Sequence, residues 1–115
     1  MSREDAEIVV ARYREDVSWT AGLGFPVTVY DKSGRPGPFS LPNIGRETHT
    51  YLSHILRRYD DLARHTVFVQ AAPFDHMPPG TTPADFAARI AQNVRLGLRF
   101  TGFAAFKLKC DRLGR

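Results

Sequence analysis

The chain has 115 residues, 43% hydrophobic and 24% charged, enough for one domain with one core and too few for two. Its single cysteine, Cys110, excludes an internal disulfide and argues against a Cys-based zinc site, and no apolar run approaches the roughly 18 residues of a membrane helix. The net charge of +4 is a C-terminal property, with 7 Lys or Arg against 1 Asp or Glu in residues 89–115 and 9 against 11 in residues 1–88; with no zinc finger, long basic helix or aromatic and Gly pattern beside it, this charge does not point to nucleic acid.

The start, Met1-Ser2-Arg3-Glu4-Asp5, carries no apolar signal region, so a soluble cytoplasmic protein is expected. Residues 7–13 form a β-branched apolar run, which predicts a strand buried on both faces. A brief helix or turn follows over Arg14–Trp19 and ends at Gly22, Gly24 and Pro26. Residues 27–30 read as a second strand, stopped by Asp31-Lys32-Ser33-Gly34. Three prolines and a glycine between Arg35 and Pro42 make a stiff loop that delivers the chain to a helix over residues 44–62.

In that helix Leu52, Ile55, Leu56, Tyr59 and Leu62 share one face, which is expected to pack on a sheet, and Asn43 is the expected N-cap. The unpaired amides of its first turn, the positive dipole end and the Arg46 guanidinium make a seat for a phosphate or carboxylate. Residues 66–70 form a third strand, and a proline-rich loop through Asp75 and His76 leads to a helix capped by Thr82, Pro83 and Asp85. That helix buries Phe86, Ile90 and Val94. Residues 103–108 read as a fourth strand or an extended arm, and a basic arm covers about 97–115.

Alternating strands and helices predict a small three-layer α/β domain with a mostly parallel sheet of three or four strands and right-handed crossovers. Ligands in such folds sit outside the carboxyl ends of the strands. The polar residues placed there by the element boundaries are Arg12, Glu15 and Asp16 after the first strand, Asp31 after the second, Asn43, Arg46 and Glu47 at the helix entrance, and Gln70, Asp75 and His76 after the third. Adjacent Asp75 and His76 are the candidates for acid and base work, with Glu47 and His49 at the helix entrance as further catalytic candidates. Their expected meeting point is one cavity. The alternative for Arg46 is a structural salt bridge to Glu15 or Asp16. His54, more than a turn below the entrance, is assigned a solvated or packing role, and Trp19, Tyr51 and Tyr59 are expected in the core with a polar tip.

The stretches Val9–Trp19, Val29–Lys32, Leu41–Leu52, Val67–Gln70 and Pro73–His76 resemble, in order and spacing, the domain-of-unknown-function family 3431. The tail Cys110–Arg115 also resembles that family, which implies further residues beyond it. The family is in turn distantly similar to inverting nucleotide-diphosphosugar transferases. That resemblance implies a truncated sugar-transferase-like fold, with Arg12, Glu15, Asp16 and Asp31 near a nucleotide and Arg46 at a diphosphate. Where those enzymes carry a metal-binding Asp-x-Asp, this sequence has Gln70-Ala71-Ala72. A neutral amide does not replace two carboxylates, so no motif supports a divalent metal and no cofactor is assigned.

Three function classes follow. The first is a glycosyltransferase-like enzyme or a binder of nucleotide sugars or anionic metabolites. The second is a metal-free acid-base enzyme, a cyclase, isomerase or hydrolase, on a small metabolite. The third is a noncatalytic dimerisation or binding module. The bare edges of a small parallel sheet make a homodimer the expected assembly.

Overall fold

The computed structural model describes residues 5–99 and 101–103. Strands β1 (Ala6–Arg12), β2 (Val27–Asp31) and β3 (His65–Gln70) form a parallel sheet in the order β2-β1-β3. Helix α1 (Arg46–Arg57) connects β2 to β3, and α2 (Pro83–Leu96) follows β3. The alternation read from the sequence is thus an α/β fold with helices on both faces. The expected brief helix or turn over Arg14–Trp19 is a single 3-10 turn at Ser18–Thr20, and most of the expected strand or extended arm at 103–108 and of the basic arm lies outside the described residues.

β1 is the central strand, and its residues Ala6 to Val10 are all buried. Side chains alternate between faces, and the two faces differ in chemistry. On one, Ile8 and Val10 of β1 and Val67 and Val69 of β3 join Phe86 and Ile90 of α2 in the apolar core. Trp19 closes this core from the side, its indole Nε1 donating to the Ala71 carbonyl at 2.7 Å and its ring meeting Phe74 edge-on at 5.3 Å. α2 starts as its sequence predicts. The Thr82 hydroxyl accepts from the Asp85 amide at 3.1 Å, and the Asp85 carboxylate accepts from the Thr82 amide at 3.0 Å.

The other face, under α1, is polar. Glu7, Thr28, Tyr30 and Lys32 project from it, and α1 answers with Thr50 and His54, the two fully buried residues of the helix. Tyr30 Oη lies 2.8 Å from His54 Nδ1, His54 Nε2 lies 3.1 Å from Glu7 Oε1, and the Thr28 hydroxyl donates to Glu7 Oε2 at 2.8 Å. The cluster is sealed by rings, with Phe39 edge-on to Tyr30 at 5.5 Å and Phe68 edge-on to His54 at 6.2 Å. Burial raises the Tyr30 phenol above its ordinary range, and the Glu7 charge adds to this against the opposing pull of Arg57 and Arg58. Tyr30 is therefore a neutral hydroxyl that can donate to the imidazole.

This pairing overturns the expected orientation of α1. Leu52, Leu56 and Tyr59, the apolar stripe assigned to the sheet, are 55%, 75% and 74% exposed. A helix must bring acceptors and donors to a sheet face that carries a carboxylate and a phenol, because leaving them unpaired costs more than exposing a few leucines. The helix also starts at Arg46 rather than residue 44 and ends at Arg57 rather than residue 62.

Asn43 is not the cap; Gly45 occupies that position, left-handed at φ 68°, with no side-chain acceptor. A Cβ at Gly45 would stand 2.5 Å from the His49 Cβ, so Gly45→Ala combines a clash with a left-handed alanine. It is expected to lower stability by about 2–4 kcal/mol, read from the denaturant midpoint; a loss under about 0.5 kcal/mol contradicts this geometry.

Candidate functional site

The start of α1 is carried over the ends of β1 and β2 by the proline-rich loop, which is pinned to β2. The Asp31 amide donates to the Phe39 carbonyl at 3.0 Å, and the Leu41 amide donates to the Asp31 carbonyl at 2.9 Å. The result is a cavity of about 270 Å³ lined by Ala11, Arg12, Tyr13, Glu15, Lys32, Asn43, Arg46, Glu47 and Thr50.

Lys32 is the organising side chain. It is buried, and its Nζ donates to the carbonyls of Ile44 at 2.5 Å and Arg46 at 2.6 Å, on either side of Gly45. Burial lowers its pKa from the ordinary lysine range, with the Glu47 charge opposing the shift. These two bonds hold a backbone in which Arg46 itself is left-handed at φ 49°, a conformation that costs a residue with a side chain about 1–2 kcal/mol.

Lys32 also decides the fate of Thr50. In a helix a threonine hydroxyl commonly bonds back to the carbonyl four residues earlier, here that of Arg46. That carbonyl already takes the helix amide and Lys32 Nζ, filling both lone pairs. The Thr50 hydroxyl oxygen is accordingly buried with no hydrogen-bond partner among the described residues, and Thr50 lines the cavity. The amides of Arg46, Glu47 and Thr48 open the helix with no acceptor among the described residues. Lys32, Arg46 and Thr50 thus line the same small space, together with Glu15 and Glu47.

The walls are fixed by bonds of their own. The Arg12 guanidinium is paired with the Asp31 carboxylate and donates through Nε to the Glu15 carbonyl at 2.6 Å. The Glu15 carboxylate accepts from the Tyr13 and Arg14 amides, each at 2.8 Å. Burial pushes its pKa up, but those backbone bonds together with Arg12 outweigh it and hold the group below the ordinary range. Asp31 behaves alike: burial raises its pKa, and the bonds from Ser33 and from Arg12 lower it further than burial raises it.

A carboxyl with a folded pKa below its unfolded value binds fewer protons when folded, so stability rises with pH through that window. Asp31 should therefore support the fold fully above its ordinary value of 3.8 and lose that support as the pH falls through its lowered folded value. Asp31→Asn is expected to flatten this acid limb in denaturation curves collected between pH 2 and 5. An unchanged limb contradicts it.

The structure brings together Arg12, Glu15, Asn43, Arg46 and Glu47 as the strand-end rule anticipates, with Asp31 supporting Arg12 from behind. Others expected in the same cavity lie elsewhere. Asp16 accepts from the Ser18 amide and hydroxyl at 3.1 and 2.8 Å, bonds that lower its pKa and make it a turn residue. Asp75 is exposed on a 3-10 turn at Pro73–His76. His76 and Gln70 line a separate groove along β3. His49 packs beneath Gly45 with its Nδ1 buried and unpaired among the described residues, outside the cavity lining. No Arg46 salt bridge to Glu15 or Asp16 forms among the described residues.

Thr50 is no site candidate in the sequence reading, and Lys32 enters it only as a polar residue closing the second strand at the surface. Their signal is the matched alternation of Thr28, Tyr30 and Lys32 along one strand with Glu47, Thr50 and His54 along one helical stripe. No group of three or more metal-ligating side chains occurs among the described residues, and no helix among them is long and apolar enough to cross a membrane.

Comparison with known proteins finds one family. The family described as "Protein of unknown function (DUF3431)" matches residues 8–94. No curated protein and no solved structure matches. The matched stretch runs from Ile8 in β1 almost to the end of α2 and takes in every residue of the cavity and the polar cluster apart from Glu7, so the chain belongs to the DUF3431 family.

Proposed function

We propose that the protein binds a small anionic group, a phosphate or carboxylate, in the cavity at the entrance of α1. The observation that carries this reading is the meeting of two cations without an ion pair among the described residues, Lys32 and Arg46, at the lining of one small cavity. A helix start with a positive dipole, an arginine and a buried lysine favours negative charge. The volume of about 270 Å³ lies just below the roughly 300–1,000 Å³ of small-molecule sites, and suits an anionic group or a small metabolite. Binding is preferred over acid-base chemistry because, of the catalytic candidates Glu47, His49, Asp75 and His76, Glu47 alone lines the cavity among the described residues.

A thermal-shift panel tests the reading with inorganic phosphate, sulfate, small carboxylates, a nucleotide sugar and divalent cations. Phosphate at a hundredfold excess over its dissociation constant is expected to add about 2.7 kcal/mol of stability, with a melting temperature that climbs with concentration. A melting temperature unmoved by every anion contradicts the reading.

A further inference from the structure

The groove along β3 holds about 1150 Å³ and shares no lining residue with the anion cavity, but the two linings approach each other at two places. Ala11, which lines the cavity, and Gln70, which lines the groove, are register partners on adjoining strands. Thr50 of the cavity and Tyr51 of the groove are consecutive on α1. The junction is also where the topology opens the sheet. From β1 the chain runs to β2 on one side, and from β2 it crosses to β3 on the other, so the connections diverge above the carboxyl ends of β1 and β3.

The groove differs in chemistry from the cavity. Phe68 stands two residues before Gln70, on the same face of β3, and its ring meets Tyr51 at 4.9 Å. Burial, with Glu47 adding, pushes the Tyr51 phenol up to about 12, so it stays uncharged. No carboxylate occurs among the described residues that line the groove.

We infer that the ligand is an amphipathic organic anion, its charged end in the cavity at Arg46 and Lys32 and its apolar body passing Ala11 and Gln70 onto Tyr51 and Phe68. This inference rests on the anion reading and adds the class of molecule that carries the anion. An apolar body suits the groove because the aromatic pair offers it surface.

The test measures the affinity of the full chain for inorganic phosphate and for methyl, butyl and hexyl phosphate, with 1-hexanol as the neutral control. Affinity is expected to rise about fourfold per methylene while the alkyl chain stays in the groove, and Arg46→Ala is expected to weaken the whole series by a common factor. If inorganic phosphate binds but the series is flat, the inference is overturned and the anion reading survives; this is the outcome when a second copy or the chain's own C-terminal residues fill the groove. Hexanol binding as tightly as hexyl phosphate also overturns it, because the two regions then act separately. If no phosphate binds at all, the anion reading fails and the inference fails with it.

Discussion

His54→Ala is expected to destabilise the fold by about 3–5 kcal/mol, from the loss of a hydrogen bond to a buried carboxylate and the cavity left by the imidazole. The imidazole is fully buried and sits between the Glu7 carboxylate at 3.1 Å and the Tyr30 hydroxyl at 2.8 Å. Its loss removes the imidazole from Glu7 and opens a void under α1. The Thr28 hydroxyl remains on Glu7, and a carboxylate buried in low dielectric is costly wherever it loses a donor. The midpoint of urea unfolding should fall with the slope preserved.

A double change separates pairing from packing. Glu7→Met combined with His54→Leu removes both polar partners and keeps the volume, and it should cost less than His54→Ala alone, because apolar replacement of a whole buried pair is often near neutral. A His54→Ala variant within about 1 kcal/mol of the parent contradicts this account of how α1 is held.

Arg46→Ala is the counterpart with the opposite signature. It should weaken binding of phosphate by about 2–4 kcal/mol, the range for truncating one partner of a charge-assisted contact at an interface, while stability changes little. Arg46 is exposed and carries no ion pair among the described residues. Alanine at φ 49° bears much the same left-handed penalty as arginine, so the backbone cost is common to both chains. Together the two variants divide α1 into a face that supports the fold and an entrance that supports binding. Equal loss of stability in both would erase that division.

The strands were legible because β-branched runs bounded by Gly, Pro and Asp leave few other structures open. The start of α2 was legible because Thr82, Pro83 and Asp85 each satisfy a named backbone group. The orientation of α1 was not. Its strongest periodicity is the stripe of Leu52, Leu56 and Tyr59, and an amphipathic helix normally buries such a stripe. What decided otherwise was the partner surface, a sheet face with Glu7, Tyr30 and Lys32, and a periodicity taken one element at a time carries no information about the face that element will meet.

The candidate site divided along the same line. Arg12, Glu15, Asn43, Arg46 and Glu47 were found from strand ends and a helix entrance, features that the sequence marks locally. Lys32 was read as a polar strand end and no more, because its role arises from a tertiary event, the capture of the Arg46 carbonyl by a lysine fourteen residues earlier. Asp75 and His76 were drawn in by adjacency in sequence, but the turn at Pro73–His76 lies outside the cavity lining.

The central claim, that the entrance of α1 receives an anion, is tested most directly by following backbone amide resonances while inorganic phosphate is titrated into the full chain. The amides of Arg46, Glu47 and Thr48 should move together along one saturable curve, and Arg46→Ala should shift that curve to higher phosphate. If those three amides stay still while shifts gather on exposed arginines such as Arg57 and Arg64, phosphate is meeting surface charge alone and the claim is contradicted.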